Sequence, residues 1–270
     1  MLELKEKWFP RGAKDIIPPY LSPLQGEGWR PFRLPTSTST MIQLTQISKH
    51  RNGQARSQAS PMLSDVNLKI EKGECVLLAG PGGAGKSTLL KIIWGEVSPD
   101  KGEVVVDGKN ITRLSANDLA ALRRRMGLIP QDLALPPDRT VFDQVAFPLQ
   151  MSNLPRRNGL SSRVRQMLRR VRLEGYDRRK IASLTDGERQ RAAIARALVH
   201  HPVLLLADEP THHLDDATAD EMAALFNEVH VAGTTVVVAT RHCGLLARMP
   251  GRIVMIQQGQ LVEGGTDDTP

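Results

Sequence analysis

Gly80-Pro81-Gly82-Gly83-Ala84-Gly85-Lys86-Ser87-Thr88 is the stretch on which the reading of this 270-residue chain turns. It follows Cys75-Val76-Leu77-Leu78-Ala79, an apolar run with the composition of a strand buried on both faces. It leads straight into Lys86–Trp94, whose apolar residues recur at helical spacing. The pattern G-x-x-x-x-G-K-[ST] between a strand and a helix has a physical meaning. Its glycines let the backbone curl until successive N–H groups point inward at the positive end of the helix, which makes a nest for anions. Lys86 brings a mobile positive charge to β- and γ-phosphates, and the Ser87 hydroxyl suits Mg²⁺. A plain strand-to-helix turn has no use for Lys-Ser at its end, so the expected ligand is a nucleoside triphosphate with its magnesium.

A second motif completes the expectation. Val203-Leu204-Leu205-Leu206-Ala207 reads as another buried strand and ends in Asp208-Glu209-Pro210. Open parallel sheets bind ligands at the carboxyl ends of their strands. There Asp208 is placed to hold Mg²⁺ through its water shell, and Glu209 to orient or deprotonate an attacking water.

Outward from these two motifs, strand-like and helix-like segments alternate. Ile42–Ile47, Val66–Ile70 and Thr235–Thr240 read as strands, and a helix runs through Glu221–Val231. Val104–Val106 with Asn110–Ile111, and Ile253–Ile256 with Gln260–Val262, read as hairpins on Asp107-Gly108 and Gln258-Gly259. From about Asp132 to Leu184 the strand signals stop, and Val164, Met167, Leu168 and Val171 recur at helical spacing. The predicted architecture is α/β: a mainly parallel core, an antiparallel layer beside it and a helical insert.

Composition narrows the function classes. The longest apolar runs fall far short of the ~18 residues of a membrane-spanning helix, so a membrane role would be peripheral. Two cysteines, Cys75 and Cys243, make neither a disulfide framework nor a Cys-rich zinc site and suit a reducing compartment. The pairs His200-His201 and His212-His213 are adjacent, project in different directions and read as surface histidines rather than a metal site. The net charge is +7, yet Arg156–Lys180 alone holds ten basic residues and two acids, more than the whole net charge. Its apolar stripe argues for a helix packed on the core with a solvated or lipid-facing basic side. No aromatic is interleaved for base stacking, so nucleic acid is not expected. Residues 1–40 hold six of the 18 prolines and five of the ten aromatics without any period. They read as a disordered extension or as sequence upstream of a start at Met41, with a docking arm as the alternative.

Between the two site motifs lies Leu184-Thr185-Asp186-Gly187-Glu188-Arg189-Gln190-Arg191, then Ala192–Leu198 at helical period. This resembles the signature motif of ATP-binding cassette (ABC) ATPases. Gln131, in Ile129-Pro130-Gln131-Asp132, resembles the family's Q-loop glutamine, and Thr211-His212-His213-Leu214-Asp215 resembles its D-loop. The resemblance spans residues 41–265, with 266–270 a tail. It implies a P-loop NTPase: an ABC nucleotide-binding domain with a RecA-like core, an antiparallel β side layer and a helical subdomain at about 132–184. It also implies ATP hydrolysis, with Gln131 as a further Mg²⁺ ligand and an integral membrane partner supplied by another chain. The chain would then sit on the cytoplasmic face of the bacterial inner membrane. Two copies would sandwich ATP, each nucleotide lying between one copy's phosphate loop and Thr185, Gly187 and Glu188 of the other. Thr185-x-x-Glu188 is a capping box, so that helix end offers N–H donors to a γ-phosphate. Leu122–Gly127 and Asp138–Ala146 resemble the cell-division branch of the family; the lipoprotein-release and macrolide-export branches share much of the pattern.

Three positions depart from the family. Asp186 stands at the first signature glycine; its carboxylate either faces the γ-phosphate or turns outward. Arg241 occupies the place of the switch histidine, and His242 falls one residue late. Arg51 takes the place of the adenine-stacking aromatic, although the His50 ring could stack instead. The expectation is that ATP binding survives while hydrolysis is slow, or needs the partner, and that a nucleotide-gated scaffold is the alternative to a motor.

Overall fold

A computed structural model describes residues 39–51, 61–151, 159–241 and 243–263. The expectations for 1–38 and 266–270, and for Arg156, Arg157 and His242, lie outside the described residues.

A six-stranded sheet forms the core. Its centre is β3 (Cys75–Ala79), flanked in parallel by β8 (Thr235–Thr240) and β9 (Arg252–Gln257). Beyond β8 lie β7 (Leu204–Asp208) and the edge strand β6 (Met126–Ile129), again parallel, while β10 (Gln260–Glu263) closes the other edge antiparallel to β9. Every residue of β3, β7 and β8 is buried, because the sheet is covered on both faces. Alternation along the strands sorts their side chains. Cys75, Leu77, Leu205, Ala207, Val236 and Val238 enter one apolar cluster, and Val76, Leu78, Leu204, Leu206, Val237 and Ala239 the other.

The second cluster lies under α1 (Lys86–Trp94) and a four-stranded antiparallel sheet ordered β2 (Leu63–Glu71), β1 (Thr40–Lys49), β4 (Lys101–Val106) and β5 (Lys109–Asn110). Both predicted hairpins turn where expected. Asp107 and Gly108 have φ of 48° and 75°, and Gln258 and Gly259 have 49° and 79°, as two-residue hairpin turns with positive φ at both central positions require. Ile111 belongs to a short 3-10 turn instead of the hairpin strand. The first cluster lies under α5 (Asp186–Leu198), α6 (Asp216–Val231) and the insert, which holds α3 (Val141–Met151) and α4 (Leu160–Arg170). The remaining helices are α2 (Ala116–Arg123) and α7 (Cys243–Arg248).

Helix α4 buries Val164, Met167 and Leu168, as the sequence period predicts. Its basic side is solvated, as expected, and is also paired with acids, which composition did not announce. Arg170 pairs with Glu228 and, just past the helix, Arg172 with Glu221, both on α6; Arg165 pairs with Asp177 at 3.2 Å. Arg165 and Arg172 stay exposed while they pair. His200 differs from expectation: it packs inward with its Nε2 3.1 Å from the Met126 carbonyl, and burial lowers its pKa.

Candidate functional site

The phosphate loop emerges from the carboxyl end of β3 and closes onto the first turn of α1. Its shape depends on glycine in two places. A methyl on Gly80, where φ is 148°, would stand 2.2 Å from the Ile256 carbonyl oxygen. At Gly85, the N-cap of α1 with φ 105°, a methyl would stand 2.6 Å from Leu63 Cδ2. Ala84 is buried and its N–H closes a turn on the Pro81 carbonyl at 3.3 Å; Gly83 also has positive φ. Thr88 turns its hydroxyl away from the loop, onto Met62 Sδ at 2.8 Å.

Lys86 is only 5% exposed, and its Nζ donates to the carbonyl oxygens of Gly80 at 2.7 Å and Pro81 at 3.0 Å. Burial lowers its pKa; Glu209 and Asp208 pull the other way, and Arg241 adds to the lowering. The side chain thus rests folded over the loop, and its ammonium group donates hydrogen bonds to neutral carbonyls.

Opposite the loop, β7 delivers Asp208 and Glu209, both buried. Burial raises the Asp208 pKa and Glu209 pushes it further, against the lowering pull of the Ser87 hydroxyl and Lys86. Asp208 Oδ1 is buried and has no hydrogen-bond partner. A hydroxyl beside a buried carboxylate with an unsatisfied oxygen is a donor set that fits a hard divalent cation. Glu209 adopts φ 48°, a left-handed conformation that costs a non-glycine residue energy. Its N–H still bonds the Ala239 carbonyl at 2.8 Å, so the neighbouring strand β8 holds the strain in place.

Sequence reasoning missed what holds the Glu209 side chain. Arg241 Nε donates to Oε1 at 3.0 Å, while the Arg241 backbone N–H and the Thr240 hydroxyl each donate to Oε2 at 3.1 Å. Arg241 therefore does occupy the end of β8 facing the site, although it meets a carboxylate there. A methyl built on Gly82 would lie 3.5 Å from Arg241 Nη1, so the guanidinium reaches over the phosphate loop.

The capping box of α5 is present. The Glu188 N–H donates to Thr185 Oγ1 at 3.3 Å, and the Thr185 N–H donates to Glu188 Oε2 at 2.8 Å. Tyr176 donates its hydroxyl to Glu188 Oε1 at 2.8 Å, another contact that the sequence did not announce. Gly187 approaches the D-loop: a methyl there would stand 3.1 Å from the His213 carbonyl. Asp186 is exposed and paired with Arg189 one turn on, which lowers its pKa. Buried Gln190 donates Nε2 to the Pro210 carbonyl at 2.8 Å and ties α5 to the loop after Glu209. A long polar side chain within an otherwise apolar helical stripe was the only signal for it.

Gln131 is exposed and lines a cavity of about 580 Å³ with Leu135, Asp186, Arg189 and His213. This cavity lies at the opening of α5, where Asp186 and Arg189 form its wall. Arg51 is exposed just beyond β1. His50 is engaged: its N–H donates to Asp100 Oδ2 at 2.7 Å, with its ring Nδ1 3.2 Å from the same oxygen.

Comparison with known proteins agrees with this geometry. The family described as ABC transporter matches residues 63–212. The cell division ATP-binding protein FtsE of Mycobacterium tuberculosis is 38% identical over 82% of this chain and 94% of its own length. FtsE of Escherichia coli is 39% identical over 83% of this chain and 98% of its own length. The methionine import ATP-binding protein MetN 1 of Listeria monocytogenes is 37% identical over 84% of this chain but only 66% of its own length. Among solved structures, the ATP-binding cassette MJ0796, dimeric in a post-hydrolysis state with ADP and Pi, superposes with a TM-score of 0.76 at 33% identity. That match covers 82% of this chain and 96% of MJ0796.

Proposed function

Because this chain belongs to the ABC transporter family of ATPases, we propose that it is the ATP-hydrolysing subunit of an FtsE-type complex, coupled to an FtsX-like integral membrane partner. The observation that carries the chemistry is the burial of Lys86 on the phosphate loop near Asp208 and Glu209, close enough for each carboxylate to act on its charge. Triphosphate entering the nest gives Lys86 a charged partner in place of two carbonyls. Asp208 and Ser87 would hold a magnesium ion, which neutralises charge on the phosphate oxygens. Water adds to the γ-phosphorus as the bond to the β–γ bridging oxygen breaks. ADP leaves with that electron pair, and Glu209 accepts the water proton. Gln190 keeps the loop after Glu209 in register with α5, the helix offered to a second copy.

The FtsE-type assignment is supported by the likeness of Leu122–Gly127 and Asp138–Ala146 to the cell-division branch, and by FtsE relatives 38% and 39% identical to this chain. Similar identity to MetN supports a second reading, an uptake-system subunit. The outward side of the insert favours a membrane partner in either case. Phe147 and Met151, one turn apart on α3, are 54% and 50% exposed. No helix among the described residues is long and apolar enough to cross a membrane; the spanning partner would be a separate chain, with this one peripheral at the cytoplasmic face of a bacterial inner membrane. Two copies would close head to tail on ATP, placing Thr185, Gly187 and Glu188 of one against the nucleotide of the other.

The test is calorimetric binding of ATP with Lys86→Ala, followed by identification of what co-purifies from native membranes. Lys86→Ala should weaken ATP by about tenfold to a hundredfold, the cost of one charge-assisted contact, and should abolish turnover. Unchanged affinity would overturn the reading, and co-purification of an importer's permease in place of an FtsX-like protein would favour the second one.

A further inference from the structure

Glu209, the residue that must meet water for hydrolysis, is not free to do so. It is 8% exposed, and both carboxylate oxygens are taken by Arg241 Nε, the Arg241 N–H and the Thr240 hydroxyl. Two of these donors are backbone or short side-chain groups fixed by β8. The third is different. The Arg241 side chain is 49% exposed, is joined to the carboxylate by one guanidinium nitrogen, and has another nitrogen over Gly82 of the phosphate loop. It stands between two anion sites, one filled by Glu209 and one that a triphosphate would fill. A guanidinium presents several donors in a rigid plane and matches phosphate oxygens as well as carboxylate.

Resting on the ATPase reading above, we propose that Arg241 is a positioning residue that acts as an ATP-operated latch on Glu209. Without nucleotide the guanidinium is bound to the carboxylate and keeps it from water. The terminal phosphate of ATP, bound at the phosphate loop, draws the guanidinium off the carboxylate and leaves Glu209 held by the Arg241 N–H and the Thr240 hydroxyl, with Oε1 exposed to the attacking water. ADP has no group at that distance and leaves the latch shut. No bond is made or broken in this step beyond the exchange of ion-pair partners. Part of the binding energy of the third phosphate is consumed in opening the pair, and this makes Arg241 a discriminator between tri- and diphosphate.

A double-mutant cycle in nucleotide binding tests this without turnover. The β,γ-imido analogue of ATP and ADP are titrated by calorimetry into wild type, Glu209→Gln, Arg241→Ala and the double variant, at concentrations where light scattering finds monomer. Glu209→Gln breaks the ion pair while keeping an oxygen for the Thr240 hydroxyl. It should tighten the analogue about tenfold and leave ADP within about twofold. In the Arg241→Ala background the same substitution should change analogue affinity by less than about threefold. An equal gain in both backgrounds would overturn the latch, because it would reflect only removal of a carboxylate from the phosphates. So would equal gains for analogue and ADP, or no gain with Arg241 present. Failure of wild type to bind either nucleotide would sink both the latch and the ATPase reading, whereas tight binding without coupling would sink the latch alone.

Discussion

Asp208 sits in an environment that opposes its own charge. Burial raises its pKa above the ordinary carboxylate range, and Glu209 adds to the effect. Between the ordinary value near ~4 and that raised value, the folded protein holds a proton that the unfolded chain has released, so this group's contribution to stability falls as pH rises through the window. Asp208→Asn removes the cost. Nucleotide-free Asp208→Asn should melt about 2–4 °C above the parent at pH 7, with the gap closing as pH approaches ~4, while its nucleotide binding loses magnesium dependence. A lower melting temperature at pH 7 would refute the argument. The role of Asp208 was legible because two adjacent acids close an apolar run. The partner of Glu209 was not. Residues 209 and 241 meet because β7 and β8 are parallel neighbours, and the order of strands in a sheet leaves no mark on either segment.

Single elements differ in how plainly the sequence announces them. Helix α1 and strands β3 and β8 coincide with their expected limits, since turn residues or the capping glycine bound each one. Strand β6 escaped notice. Met126-Gly127-Leu128-Ile129 is four residues long, too short for a period, and carries a glycine that reads as a break. The structure explains the glycine: a methyl there would lie 2.4 Å from the Ala197 carbonyl and 3.2 Å from Leu205 Cδ1, where α5 presses on the sheet. Gly127→Ala should therefore cost about 1–3 kcal/mol, measured as a lower denaturant midpoint with the slope unchanged. A neutral result would mean that α5 moves off without loss. Helix α2 was hidden for another reason: it buries only Leu122 and so offers no apolar stripe, whereas α3, which buries Val141, Val145 and Leu149, lies inside the expected helical insert.

At the scale of the molecule, the α/β core with an antiparallel layer was readable because two periods, two and 3.6, alternate along the chain. The distribution of charge was not, because Glu221 and Glu228 reach α4 and its flank only once α6 has packed. The remaining apolar exposure on α3 sets the last prediction. Phe147→Asp combined with Met151→Asp should eliminate co-purification of the membrane subunit while leaving basal ATP hydrolysis within about twofold, as expected for side chains far from the reacting atoms. Retained co-purification would exclude this face as the contact. The insert that bears these residues begins and ends at one place. Thr140 bridges Lys180, the Val141 N–H donates to the Arg179 carbonyl at 2.9 Å, and the Ile181 N–H donates to the Arg139 carbonyl at 3.0 Å. A segment pinched shut at its base can be lengthened, shortened or exchanged without pulling on the sheet behind it. Evolution is thereby free to refit the proposed docking end to a new membrane protein while the engine that spends ATP stays as it was.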